Sequence, residues 1–598
     1  MIKNPFGIEE LNIAWMRCRY FNYQDVRKFK INTEIEFYDQ YIHEIILDLH
    51  AKLNKEQYAF SDKQIFPMPK NSGLLRRKSF MSIEDQIVSH AILNFIGKKI
   101  DSKFYYWNCG NRILKKNTNF SAQTFVPYLK QYNKFLNHTI YLINKGYRWV
   151  CETDIVSYFD HIDHEILLSK LKKHLKDEKY SYITHVLIPS FLNSNYSYNG
   201  IRKRFSKGIP QGGALSYFLS NVYLNELDHN MKDYTGIKYL RYVDDIRLLG
   251  ETKQEVEEFL LQLQAGLWEL GLEINSGKTE TYKVESQKDL EDFQKEQSEK
   301  LSLIDKSQDT KQNKLKKYKL ILSRNQDEIS SSENKFTELN KLRNRKINFS
   351  ISKLIANGDP NAFPHLISQL ENKPEKASYL LEKLYYYKFK EKKLNVLDIN
   401  KYYLSRPYEA YIGATLSNLY LWGLLSYDKI SKFLPSKTGI IELYILNNKH
   451  NVIDPLLIMF IINKTLHRLD KTNPYLINCL LYQISNSKHF SRRFRMFFIK
   501  KLLDTQVYKV NNCSQFIANL LIKDRLLYYN IKKSGTENVS SFINYLKSKN
   551  PEIYEILLSE KEHEINVKPD QGFVLLDEIH STLTSVNDVF YILKELIK

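Results

Sequence analysis

Apolar and polar positions divide the chain into four stretches of different character. Residues 1–150 read as mostly helical, broken by one basic loop, "PKNSGLLRRKSF". Residues 151–285 alternate short β-like runs ("WVCETDIVSYF", "GIKYLRYV", "DIRLLG") with helical ones ("ALSYFLSNVYLNELDHNM", "KQEVEEFLLQLQAGLWELG"). Such alternation predicts an α/β or α+β unit. Residues 286–345 are densely charged with sparse apolar positions, which predicts a solvated segment or an exposed helical connector. From residue 346 to 598 apolar helical stretches follow one another, punctuated by Asn, Asp, Pro and Ser. Stacked, solenoid-like helix pairs are expected there, although no fixed repeat period emerges.

The second stretch holds an unusual pairing. In "YLRYVDDIRLLG" the runs on either side can pair as a hairpin, and Asp244 and Asp245 fall at its tip. Adjacent carboxylates repel, and Asp is common in turns, so two solvated turn aspartates are the simple reading. Upstream, however, "CETDIVSYFDHID" ends an apolar strand-like run on Asp154. A neighbouring strand of the same sheet would bring Asp154 beside the hairpin tip. Three clustered carboxylates call for cations, and oxygen ligands favour Mg²⁺ or Mn²⁺. A pair of such ions supports phosphoryl transfer.

Between these carboxylates lies "GIPQGGALSYFLSNVYL", where Gly208, Gly212 and Gly213 permit close backbone approach ahead of a helix starting near Ala214. Downstream, "GLEINSGKTE" carries Lys278. In isolation the first is a turn before a helix and the second a surface lysine. His161 and His164 beside Asp160 and Asp163 suggest a metal site only weakly, since Asp is also a helix N-cap residue.

Composition narrows the chemistry. The 598 residues exceed one ordinary core, so at least two domains are expected. A net charge of +20 points to a polyanion partner, nucleic acid first and a membrane surface second. The 42 tyrosines add aromatic faces suited to single strands, though an AT-rich genome also yields Lys and Tyr. Five scattered cysteines form no Cys-x-x-Cys pair, which argues against structural zinc and fits a reducing cytoplasm. The N-terminus does not read as a signal peptide, and "LLIMFII" from Leu456 is too short to span a bilayer. No membrane partner is expected.

Taken in order, Asp154 with Phe159 and Asp160, then "GIPQGG", "YVDD" and "GLEINSGKT" resemble the palm motifs of bacterial reverse transcriptases. "RRKSFMSIEDQIVSHAILNFIGKKI" resembles the fingers of that family, and the likeness spans roughly residues 65–285. It implies an α+β right-hand polymerase with an antiparallel palm sheet, followed by an all-α C-terminal domain. The expected divisions are 1–150 (N-terminal and fingers), 151–285 (palm), 286–345 (connector) and 346–598 (helical domain). Asp154, Asp244 and Asp245 would hold two Mg²⁺, with Mn²⁺ as a substitute. Lys278 would donate a proton to pyrophosphate or neutralise charge. Arg76 and Arg77 would grip the triphosphate, with Lys78 as a competitor. Phe159 would gate against a ribose 2′-OH, and Gln211 with Gly212 would contact nucleotide and template. The partners implied are dNTPs, product DNA, RNA and a second copy of the chain.

The long helical half is similar to abortive-infection and defence-associated reverse transcriptases, some of which synthesise DNA without a conventional template and prime it on the protein. Group II intron-like and retron-like enzymes are the alternatives, along with a palm that binds nucleic acid without catalysis.

Overall fold

The computed structural model describes residues 4–25, 32–70, 73–115, 121–232, 236–284, 309–331, 337–357 and, with short interruptions, 407–558, together with a few isolated positions between 359 and 381. The C-terminal "VFYILKELIK" and most of "KASYLLEKLYYYKFK" lie outside the described residues. By contact grouping the chain forms two units, Met1–Lys30 with Tyr58–Leu424, and Ile31–Gln57 with Leu425–Lys598.

In chain order the elements are α1 (Ile8–Asp25), α2 (Asn32–Asn54), β1 (Lys63–Pro69), β2 (Leu75–Phe80), α3 (Ile83–Asp101), α4 (Tyr128–Asn144) and β3 (Trp149–Asp154). Next come α5 (Tyr158–His161), α6 (His164–His174), α7 (Ile188–Asn193), β4 (Tyr196–Tyr198), β5 (Ile201–Lys203) and α8 (Ala214–Lys232). The hairpin strands β6 (Lys238–Tyr242) and β7 (Asp245–Gly250), then α9 (Lys253–Glu269) and β8 (Glu280–Lys283), close the α+β part. The α+β core followed by helices is the expected fold class. The basic loop of the fingers is instead largely strand β2: pairing of Lys78 with Phe66 and Arg77 with Pro67 gives its backbone a partner that composition does not reveal.

Two four-stranded sheets organise the first unit, ordered β2-β1-β4-β5 and β6-β7-β3-β8. Every neighbouring pair in the second is antiparallel. Alternation of side chains along its strands serves two helical layers. Leu240, Tyr242, Leu249, Val150 and Tyr282 pack with Phe135, Leu136, Ile140 and Ile143, residues of α4. The opposite face meets α8 and α9. A capping box fixes the start of α9: the Thr252 hydroxyl accepts from the Glu255 amide, and the Glu255 carboxylate accepts from the Thr252 amide. After β8 the described residues of this unit include two helices packed on each other, Lys311–Ser331 and Thr337–Ala356, so the charged stretch is helical where described.

In the second unit α2 packs with the helices Pro474–Asn486 and Pro551–Leu558. Phe37 stacks on Phe516 at 3.7 Å between ring centres, and the Asn478 amide donates to Glu34 at 2.9 Å. The run "SQFIANLLIKDRLLYYNIKK" divides into Ser514–Lys523 and Arg525–Lys533, with Asp524 accepting from the Leu527 amide at the break. No helix of the described residues is long and apolar enough to cross a membrane.

Candidate nucleotidyl-transfer site

Strand β3 ends on Asp154, which lies directly opposite Asp245 in the register with β7. Tyr242 pairs with Asp245 across the hairpin, so the connecting loop is only Val243 and Asp244. Such loops need positive φ, and Val243 has φ +61°. A β-branched residue in that region is strained, so neighbouring groups must hold it.

They do so in two ways. A Cβ on Gly110 would lie 2.7 Å from Val243 Cγ2 and 2.8 Å from its nitrogen, so only glycine allows this approach. From beneath, Arg241 Nη1 donates to the Val243 carbonyl at 2.9 Å and to Asn221 Oδ1 at 3.2 Å. Asn221 in turn donates to the Gly110 carbonyl at 2.8 Å. Arg241 is ion-paired with Asp228 of α8, and both side chains are 0% exposed. Burial alone would lower the pKa of Arg241, but Asp228 outweighs it and the net shift is upward. Tyr239 also donates to Asp228, at 2.9 Å.

The segment after α9 delivers the cation. Asn275 N donates to the Asp154 carbonyl at 2.9 Å, and the Thr153 and Thr279 hydroxyls meet at 2.8 Å. Lys278, largely exposed, thereby reaches Asp154 Oδ2 in a short ion pair. Asp154 Oδ1 is buried with no hydrogen-bond partner among the described residues. The pKa of Asp244 is raised, first by burial and also by the charge of Asp154, while Arg76 and Lys278 pull it down. Asp154, Asp244, Arg76 and Lys278 therefore share one electrostatic neighbourhood. No group of three or more His, Cys, Asp or Glu among the described residues is placed so that it could hold a metal ion. The acidic oxygens of Asp154 and Asp245 on facing strand ends, with one oxygen orphaned, nevertheless fit a hard cation.

On the same sheet face, Arg247 pairs with Glu152 at 3.3 Å, donates to Thr139 at 2.9 Å and lies 4.3 Å from the centre of the Phe135 ring. This buried pair, like Arg241 and Asp228, was not singled out from the sequence; a charge inside an apolar strand run was the available signal.

A second cluster adjoins the glycine loop. Asp160 accepts from Arg77 at 2.8 Å and from Gln211 at 3.3 Å. Arg77 also lies over the rings of Tyr196 and Phe205, 5.5 and 5.4 Å from their centres. Gly212 has φ +139°, and a Cβ there would sit 3.1 Å from the Ser79 carbonyl. The loop and β2 are joined again by the Ser79 amide, which donates to the Gln211 carbonyl at 3.1 Å. Phe159 is half-buried and meets Tyr217 edge-on at 5.9 Å. Thus Arg77, Gln211 and Gly212 converge, whereas Arg76 is exposed and faces the carboxylates electrostatically. His164 bonds the Gly208 carbonyl at 2.8 Å, a structural role, and His161 bonds the Val156 and Ser157 carbonyls.

Residues 68–329 match the family described as "Reverse transcriptase (RNA-dependent DNA polymerase)". That part of the chain is similar to reverse transcriptases. Protein YkfC of Escherichia coli (strain K12) is 25% identical over 246 residues, 36% of this chain and 61% of that protein. The group II intron-encoded protein LtrA of Lactococcus lactis subsp. cremoris is 43% identical over 83 residues, 14% of this chain and 13% of that protein. The chain thus spans less than two thirds of either relative. Among solved structures, apo telomerase from Candida tropicalis aligns with 69% of this chain and 67% of its own at 12% identity and a TM-score of 0.30. Both carboxylate strands, the glycine loop and Lys278 fall inside the matched residues.

Proposed function

We propose that the chain is an RNA-directed DNA polymerase that adds dNTPs to a growing strand. The observation that carries this reading is the register of Asp154 against Asp245 at the β3–β7 end, with the Asp154 Oδ1 atom buried and unpaired beside the strained Val243–Asp244 turn. Asp154, Asp244 and Asp245 would hold two divalent ions, Mg²⁺ or Mn²⁺, whose chemistry is activation of the attacking 3′-hydroxyl and stabilisation of leaving pyrophosphate. Lys278, already on Asp154, neutralises charge on the pyrophosphate side. Arg76 and Arg77 receive the triphosphate, and Arg77 exchanges its bond to Asp160 for a phosphate oxygen. Phe159 abuts the sugar, and Gln211 with Gly212 lines the base and template side.

A role in anti-phage defence, with untemplated synthesis primed on the protein, is supported by the resemblance of the long helical half to abortive-infection enzymes. RNA-templated copying of the intron type is the second reading, favoured by the 43% identity to LtrA over 83 residues. The test is incubation of the purified chain with Mg²⁺ and labelled dNTPs, with and without added RNA, followed by product sequencing. Incorporation that vanishes in Asp154→Asn and Asp244→Asn, both still folded, supports the polymerase. Undiminished synthesis by the folded variants excludes this site. Product matching the RNA supports templated copying, and product covalently attached to protein supports self-priming.

A further inference from the structure

We propose that the outer face of α4, with Tyr106 and Trp107, is a binding track for single-stranded nucleic acid. The first observation is in the sequence. Residues 102–151 contain eight Lys or Arg and no Asp or Glu, in a chain that carries 68 acidic residues. An ordinary solvated surface mixes both signs; this one presents a single sign to its partner.

The second observation is geometric. Lys130, Lys134, His138, Tyr141 and Lys145 follow one another at steps of four, four, three and four residues, which places them on one stripe of the helix and at its end. The opposite stripe, with Phe135, Leu136, Ile140 and Ile143, is spent on the sheet core. Tyr106 and Tyr141 are 63% and 54% exposed. Lys134 lies 4.2 Å from the centre of the Tyr106 ring, and His138 meets Trp107 edge-on at 3.6 Å. At the first turn Tyr128 is exposed and packs edge-on against Tyr242 at 6.0 Å, and Tyr242 pairs with Asp245. The N-terminal end of α4 therefore lies beside the strand residue that pairs with Asp245.

Exposed ring faces interleaved with lysines suit bases that are unstacked and phosphates spaced along a backbone. A duplex hides its base faces, so it would use the lysines only. An acidic peptide would likewise gain little from the rings.

The proposal rests on the reading that the chain handles nucleic acid, but not on its metal chemistry. Binding of the full chain to a labelled 20-nucleotide oligo-dT and to a 20-base-pair duplex is measured in EDTA, in the native sequence and in Asp244→Asn. Tyr106→Ala/Tyr141→Ala is expected to weaken single-strand binding at least tenfold in both backgrounds, with less effect on duplex. Lys130→Gln/Lys134→Gln/Lys145→Gln is expected to reduce the slope of log K against log salt by about 2, the share of three phosphate contacts. Unchanged single-strand affinity in both variants, with an unchanged melting temperature, overturns the proposal, and so does an equal loss for the duplex from the ring variant. If the native chain incorporates no dNTP yet shows the expected losses, the track stands and the polymerase reading alone fails.

Discussion

Replacing Arg241 with Met tests whether the buried ion pair under the hairpin serves catalysis or only stability. The substitution leaves the Asp228 carboxylate fully buried with Tyr239 as a remaining donor. Removing one partner of such a pair costs about 3–5 kcal/mol. Asp228→Leu strands the guanidinium and costs a similar amount. The double variant Arg241→Met/Asp228→Leu removes both charges, and replacing a buried pair by apolar residues of similar volume is often close to neutral. Its urea midpoint is therefore expected near that of the native chain. Catalysis should not recover. The double variant still lacks the 2.9 Å bond from Arg241 to the Val243 carbonyl and the 3.2 Å link to Asn221. A bond from a charged donor contributes about 1.5–3 kcal/mol. If all of it holds Val243 in its left-handed conformation, kcat/KM for dNTP addition falls by roughly ten- to hundredfold. The assay pairs urea denaturation with single-nucleotide incorporation. Native-level incorporation by a stable double variant would refute the positioning argument. Single variants that lose less than about 1 kcal/mol would refute the burial argument.

If Phe159 abuts the sugar as proposed, Phe159→Ala should lower the ratio of kcat/KM for dNTP over rNTP; an unchanged ratio in an active variant removes the gate assignment. Gly212→Ala should cost about 1–2 kcal/mol of stability, from a non-glycine residue at φ +139° with its Cβ 3.1 Å from the Ser79 carbonyl, and should raise KM for dNTP; native stability and KM would show that the loop relaxes freely. Lys63 is 1% exposed and donates to the Phe191 carbonyl at 2.6 Å, and burial lowers its pKa to about 7. The folded chain then binds fewer protons than the unfolded one between about pH 7 and 10.5, so stability should rise with pH across that window and the rise should shrink in Lys63→Met. Identical slopes for the two proteins in urea titrations at several pH values would count against this.

Much of the first unit was legible along the chain. The hairpin strands, the helix starting at Ala214, the helix after Thr252 and the order of the motifs follow from local patterning, since period and punctuation are properties of neighbouring residues. The β-like run "WVCETDIVSYF" was legible only as far as Asp154, because Ser157 adopts φ +44° and Tyr158–His161 turns helical. Tertiary structure decided what those motifs do to one another. That Arg241 meets Asp228, that Gly110 makes room for Val243, and that Lys278 lands on Asp154 depend on contacts between residues 13, 133 and 124 positions apart. Likewise, nothing in the local pattern of α2 shows that it packs with helices more than four hundred residues later. Periodicity records which face of an element is apolar. The partner of that face is chosen only when the chain closes on itself, through burial that must satisfy every charge it encloses.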